Sequence, residues 1–168
     1  VIVANSHSHL MFFTNKGRVY SKKAYRIPEA GRTAKGTNLV NIIELNEGEY
    51  VTAIIPITEF VEGEYLTMVT KLGIIKRTLL SEFEYQRRGG KIAINLDEDD
   101  ELIFVRHTKG DESLIIATRD GLAVRFDENN VRAMGRTARG VIGIRLSEDD
   151  EVVGLVPVSE DKTILTVT

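Results

Sequence analysis

The chain has 168 residues, of which 42% are hydrophobic and 28% charged, with a net charge of −3 and no cysteine. That balance supplies ample core material for a globular domain, excludes disulfides and thiolate metal sites, and taken as net charge alone speaks against a nucleic-acid partner. With no apolar run of roughly eighteen residues and no signal-peptide pattern, a cytoplasmic chain without a membrane partner is expected.

In chain order, the first predicted element is an apolar run ending in threonine, Leu10-Met11-Phe12-Phe13-Thr14, followed by Gly17 and a second short strand, Arg18-Val19-Tyr20. A basic loop comes next, Arg32-Thr33-Ala34-Lys35-Gly36, then an apolar stretch ending at Leu45, an acidic turn Asn46-Glu47-Gly48-Glu49, and a strand containing Ile54-Ile55-Pro56-Ile57. The same order returns from Leu66 to Thr70, with Gly73, the strand Ile74-Ile75-Lys76, the loop Gln86-Arg87-Arg88-Gly89-Gly90, Leu96 and the turn Asp97-Glu98-Asp99-Asp100. It returns again from Leu114 to Thr118, with Gly121, the loop Arg136-Thr137-Ala138-Arg139-Gly140, Leu146, the turn Ser147-Glu148-Asp149-Asp150 and the strand Leu155-Val156-Pro157-Val158. A fourth copy opens at Ile164 to Thr168, so that Thr14, Thr70, Thr118 and Thr168 stand 56, 48 and 50 residues apart.

A repeat of about fifty residues with four short Val/Ile/Thr/Phe-rich strands is the arithmetic of a propeller blade, and no stretch carries a helical stripe. The expected fold is therefore all-β, an array of four-stranded blades, with units roughly at 1–52, 53–102 and 103–152 and the start of another at 153–168. Pro56 and Pro157 occupy equivalent strands; proline donates no ladder hydrogen bond, so those strands are expected at blade edges. The chain opens on Val1 inside a strand and stops where a hairpin should turn, which is expected of a partial array.

Charge is sorted by loop. Basic residues recur in one loop class and acidic ones in another, so the expected surface has a positive stripe with the acidic turns projecting elsewhere. The plainer reading, that both are solvated connections, stands beside it. Glycine-rich basic loops suit phosphate, because side-chain cations and backbone amides approach it together without reading bases. On that ground Arg32, Lys35, Arg87, Arg88, Lys91, Arg136 and Arg139 are the main candidate DNA contacts, with Lys76 and Arg77 behind them and Gln86, Gly89 and Gly90 completing the second loop.

Other chemistry is sparse. His7-Ser8-His9 would set two imidazoles on one side of a strand without a third ligand, and the turns Asp97–Glu101 and Glu148–Glu151 lack the spacing of a calcium loop. Neither a phosphate-binding Gly-x-x-x-x-Gly-Lys loop nor a Gly-x-Ser-x-Gly elbow occurs, so no catalytic and no metal residue is assigned. Tyr20, Tyr25, Tyr50, Tyr65 and Tyr85 are read as packing or blade-edge residues.

The strings Phe12-Phe13-Thr14-Asn15-Lys16-Gly17-Arg18-Val19-Tyr20, Ile27-Pro28-Glu29-Ala30, Arg32-Thr33-Ala34-Lys35-Gly36-Thr37 and Val131-Arg132-Ala133-Met134-Gly135-Arg136-Thr137-Ala138-Arg139-Gly140-Val141 closely resemble the C-terminal domain of bacterial DNA gyrase A. The paralogous domain of topoisomerase IV is similar. The resemblance implies a β-pinwheel of six blades with strands exchanged between neighbours, about three of which lie here, and a basic rim that wraps duplex DNA without sequence preference. It also implies a parent enzyme, an ATP-dependent type II topoisomerase that introduces negative supercoils as an assembly of two gyrase A and two gyrase B polypeptides. The catalytic tyrosine, ATP and magnesium of that parent belong to other parts, so this piece is expected to be no enzyme alone and to hold no cofactor. The family's Gln-Arg-Arg-Gly-Gly-Lys-Gly box is matched by Gln86 to Lys91, but Ile92 replaces the last glycine and the string lies in a later unit than usual. The rival from another class is a propeller that binds protein instead, which would need an apolar or aromatic patch.

Overall fold

A computed structural model of the chain describes residues 2–38, 41–85 and 89–158. Its strands, in chain order, are β1 (His9–Thr14), β2 (Arg18–Lys23), β3 (Val51–Ile57), β4 (Tyr65–Thr70), β5 (Ile74–Leu79), β6 (Lys91–Ile92), β7 (Leu102–Thr108), β8 (Ser113–Thr118), β9 (Ala123–Asp127), β10 (Val141–Ile142) and β11 (Val152–Val158). They form three antiparallel sheets with strand orders β3-β1-β2-β6, β10-β5-β4-β7 and β11-β8-β9. Ile164 to Thr168, where the fourth copy begins, lies outside the described residues.

Each hairpin turns at its predicted glycine. Gly17, Gly73 and Gly121 have φ of +76°, +92° and +92°, a region in which any side chain is strained. The strand after each acidic turn pairs back onto the first strand of its own copy, β3 on β1, β7 on β4 and β11 on β8. Pro56 and Pro157 sit in β3 and β11 at the outer edges of their sheets, opposite Leu10 and Leu114. His107 takes the equivalent edge place in β7, opposite Leu66.

The fourth strand of each complete sheet comes from the following copy. Lys91 and Ile92 of β6 pair with Val19 and Arg18 of β2, and Val141 and Ile142 of β10 pair with Ile75 and Ile74 of β5. Blades are thus laced together by backbone hydrogen bonds. The lacing continues where the Gly17 carbonyl accepts from the Ala93 and Ile94 amides, and the Gly73 carbonyl from Gly143 and Ile144. These exchanged strands are only two residues long.

Each pair of neighbouring blades shares its own apolar cluster. Met11, Phe13 and Val19 of the first sheet pack with Leu66, Met68, Leu80, Phe83, Ile94 and Leu102, and Val69 and Ile75 of the second pack with Leu114, Ile116 and Leu155 of the third. Neighbours cover both faces of β4, where Leu66–Thr70 are all buried, whereas in β8 only alternate residues, Leu114, Ile116 and Thr118, are buried.

The acidic turns are corrected by the structure. Their last carboxylates, Glu49, Asp100 and Asp150, point inward and are only 7%, 8% and 5% exposed. Glu49 accepts from the Thr14 hydroxyl at 2.7 Å, while Asp100 accepts from the Leu72 amide and Asp150 from the Asp120 amide, both at 3.0 Å. The recurring acid thus ties the acidic turn to the hairpin of the same blade, through the Thr14 hydroxyl in the first blade and through hairpin amides in the second and third. His7 lies in the turn before β1, so it shares no strand face with His9.

Candidate nucleic-acid interface

Strand exchange decides where the basic loops go. Because β6 and β10 pair with the preceding blade, the loop just before each of them is laid across that blade instead of its own. The second loop reaches the first blade: Arg18 donates to the Gly89 carbonyl at 2.5 Å, and Gly90, with φ of +77°, lies so close to the Tyr20 ring that an added Cβ would stand 2.8 Å from it. The third loop reaches the second blade, where Met134 donates its amide to the Arg77 carbonyl at 2.7 Å and an added Cβ at Gly140 would stand 2.6 Å from the Ile75 carbonyl.

The predicted contacts separate into three groups. Arg32 and Lys35 are exposed in the first loop, Gly89 is exposed, and Gly90, Lys91 and Arg136 are half-buried. Arg136 also donates to the Ile92 carbonyl at 3.0 Å, which lays its guanidinium along β6. Gln86, Arg87 and Arg88 lie outside the described residues. The cations of the described loops are thus Arg32, Lys35, Arg136 and Arg139, with Lys91 at the start of β6.

Lys76 and Arg77 are corrected. Lys76 is fully buried, and its ammonium donates to the carbonyls of Ala93 (2.5 Å), Gly135 (3.0 Å), Arg136 (2.6 Å) and Ala138 (3.2 Å). Its pKa is lowered to about 8, with burial as the main cause, the Glu82 carboxylate opposing it and the Arg136 cation adding to it. Arg77 is 5% exposed, pairs with the buried Glu128 at 3.1 Å and stacks 4.1 Å from the centre of the Tyr65 ring. Both cations are committed inside the protein and out of a phosphate's reach, because β5 is buried from Ile74 to Thr78 and is covered by the following unit.

Arg139 is exposed, yet it grips Asp97 at two points, 2.6 and 2.5 Å. Its hydrogen bond holds the Asp97 carboxyl below the usual carboxylate range and raises Arg139 in return. The expectation that acidic turns project away from basic loops fails here: exchange brings the third basic loop onto the acidic turn of the copy before it.

Sequence reasoning passed over Arg18, which the structure places over the Tyr20 ring at 5.9 Å and under the second loop. Its signal was its place immediately after the hairpin glycine, in the strand that receives the exchanged one. Tyr20 itself is buried and donates to Glu49 at 2.9 Å, so burial and then that carboxylate raise its phenol. Among the described residues no cluster of three His, Cys, Asp or Glu fits a metal ion. What the loops offer chemically is close-set cations on glycine-rich backbone.

A family model described as DNA gyrase C-terminal domain, beta-propeller, matches residues 8–58, 64–109 and 112–159. The DNA gyrase A protein of Escherichia coli (strain K12) is 47% identical over 168 residues, which is 100% of this chain and 19% of that protein. The DNA gyrase A protein of Clostridium acetobutylicum is 51% identical over 143 residues, covering 85% of this chain and 17% of that protein. The chain thus spans under a fifth of the length of these two relatives. Among solved structures, the C-terminal domain of DNA topoisomerase IV superposes with a TM-score of 0.85 at 32% identity, over 93% of this chain and 49% of that one. The DNA gyrase A C-terminal domain superposes with a TM-score of 0.77 at 29% identity, over 95% of this chain and 52% of that one.

Proposed function

The chain belongs to the DNA gyrase C-terminal domain family, and from that premise we propose that it binds and bends duplex DNA along its basic loops without reading base sequence. The observation that carries this reading is the delivery of the second and third basic loops, by the same exchange of strands, onto the blade before each of them. A polyanion following that path would meet Arg32 and Lys35, then the second loop with Lys91, then Arg136 and Arg139. Contacts of this kind position a duplex and carry no sequence information. Bending 20–30 bp by 40–90° costs on the order of 1–6 kcal/mol, which several phosphate contacts offset.

In the longer protein to which the relatives point, the domain would act beside the rest of gyrase A and beside gyrase B, two copies of each, in the cytoplasm. There it would present a wrapped segment to a strand-passage gate, so that ATP-driven passage introduces negative supercoils. The breaking and rejoining of strands, with ATP and magnesium, would belong to those other parts.

The test is binding of a duplex of about 40 bp and a scrambled duplex of equal length across a salt series. If about six phosphates are neutralised, both should bind alike with a log–log slope near −5, at roughly −0.9 per phosphate. Joint replacement of Arg32, Arg87 and Arg136 by Gln should lower that slope by about 3. No binding at low salt would overturn the reading and favour a protein-binding blade array.

A further inference from the structure

The least expected group in the fold is a lysine placed where its neighbours in the strand pack against core. The Lys76 ammonium has three donors, and four carbonyls stand within 3.2 Å of it: Ala93, Gly135, Arg136 and Ala138. Carbonyl oxygens repel one another, and hydrogen-bond donors set between them offset that repulsion. Three of the four belong to the third basic loop, and the fourth to the segment that follows β6. The loop forms few hydrogen bonds of its own. Its internal turn is the Ala138 amide on the Gly135 carbonyl, 3.1 Å, and its outer edge is held by Asn95, whose amide donates to Ala138 and whose side chain donates to the Thr137 carbonyl at 2.7 Å.

We propose that Lys76 is a positioning residue for the third basic loop: seated beneath Gly135–Ala138, its ammonium holds the loop backbone in the shape that carries Arg136 and Arg139 on the outer surface. Lys76 does not meet the polyanion. It acts through the residues whose carbonyls it holds, and the residue clamped at 2.6 Å is Arg136 itself. The first blade meets the same need differently. At the place of Lys76 it has Tyr20, whose ring seats Gly90, while Arg18 takes the Gly89 carbonyl. A basic loop of one unit is thus seated by side chains of the strand before it, with a cation on a loop carbonyl in both blades. The functional half of this inference rests on the DNA-binding reading, whereas the clamp does not.

Hydrogen exchange tests the clamp without DNA. In the unaltered chain the amides of Met134, Ala138 and Asn95 should be protected to within about tenfold of the β5 amides, because loop and strand open together. Fast exchange at those three amides overturns the proposal with no mutation needed. In Lys76→Met, their protection should fall by at least about tenfold relative to the β4–β5 ladder, and Lys76→Gln, which keeps two donors, should retain part of it. Unchanged protection in Lys76→Met also overturns it.

The functional half is read by a double-mutant cycle on duplex binding. Lys76→Met should weaken binding several-fold in the unaltered chain and add nothing in an Arg136→Gln/Arg139→Gln background. Additive losses would mean that Lys76 acts independently of the loop, and would sink the positioning role. If the unaltered chain binds no DNA, the DNA reading fails by itself, and the exchange measurements still decide the clamp.

Discussion

Arg139 and Asp97 join consecutive units through two hydrogen bonds, 2.6 and 2.5 Å long, although 42 residues separate them. Half of each side chain is exposed, so the pair is screened by salt and adds little to stability. Its effect is on charge presentation. A carboxylate held ionised beside an arginine competes with any phosphate for the same fork of donors.

Asp97→Asn should therefore strengthen duplex binding. Releasing Arg139 adds about one phosphate contact, so the log–log salt slope should steepen by about 0.9 while the urea midpoint stays nearly unchanged. Because the hydrogen bond from Arg139 holds Asp97 below its ordinary range, the pair persists above that range and is lost as pH falls through the lowered value. An unchanged slope in Asp97→Asn would show that Arg139 faces away from the DNA path.

Two turn glycines with positive φ are predicted to be unequal, Gly73 in the β4–β5 hairpin and Gly63 in the turn before β4. At Gly73, φ is +92° and an added Cβ would stand 2.6 Å from the Ile144 carbonyl of the next unit, a backbone atom that cannot yield. Gly73→Ala should cost about 2–4 kcal/mol and loosen the junction between the second and third blades. Gly63→Ala, at φ of +82° with no described neighbour within 4 Å, should cost only about 1–2 kcal/mol of backbone strain. Equal losses in chemical denaturation would mean that close approach of the next unit contributes nothing.

Those glycines also mark how far the sequence could be read. Thr14, Gly17 and their counterparts announced the hairpins because turn chemistry is local, and Pro56 and Pro157 announced the edges for the same reason. Lys91–Ile92 and Val141–Ile142 form strands only because the previous blade offers an unpaired edge, and no local propensity encodes a partner some seventy residues away. Every misreading of the site follows from that one gap. Lys76 and Arg77 look like surface cations until the next unit covers them, and Arg139 looks separate from Asp97 until exchange brings the two loops together. Glu49, Asp100 and Asp150 were legible as turn residues, whereas their inward direction follows from partners on the hairpin about thirty residues earlier, the Thr14 hydroxyl and the Leu72 and Asp120 amides.

Lys76 carries a pH dependence whose sign follows from its burial. Its folded value, about 8, lies below the ordinary lysine value near ~10.4, so between the two the unfolded chain binds more protons than the folded one. Stability from this group therefore rises with pH across that window, since less charge remains to be kept out of water. The other charged groups acting on it are Glu82 and Arg136; Met68, opposite it on β4, does not ionise. The difference in urea midpoint between the unaltered chain and Lys76→Met should grow in favour of the unaltered chain from about pH 8 to pH 10. Taking the difference removes Tyr20 and Tyr50, whose raised phenols pull the other way at higher pH. A flat or falling difference would mean that the four carbonyls outweigh desolvation and keep the ammonium charged throughout.

Arg77 and Glu128 make the opposite prediction about DNA. Their contact, 3.1 Å long, is buried on both sides, and Arg77 Nε and one Glu128 oxygen have no hydrogen-bond partner among the described residues. An ion pair so enclosed is costly to break and cheap to replace: removing one partner strands a charge, whereas removing both also removes the desolvation cost. Glu128→Ala should lose about 3–5 kcal/mol, while Arg77→Met with Glu128→Leu should recover most of it, because Tyr65 offers a ring face for the methionine to pack on. Neither change should alter the salt slope of duplex binding, since Arg77 releases no counterion when it never meets a phosphate. A slope reduced by about 0.9 in the double variant would place Arg77 at the DNA after all, with the segment around Glu128 having moved aside to expose it.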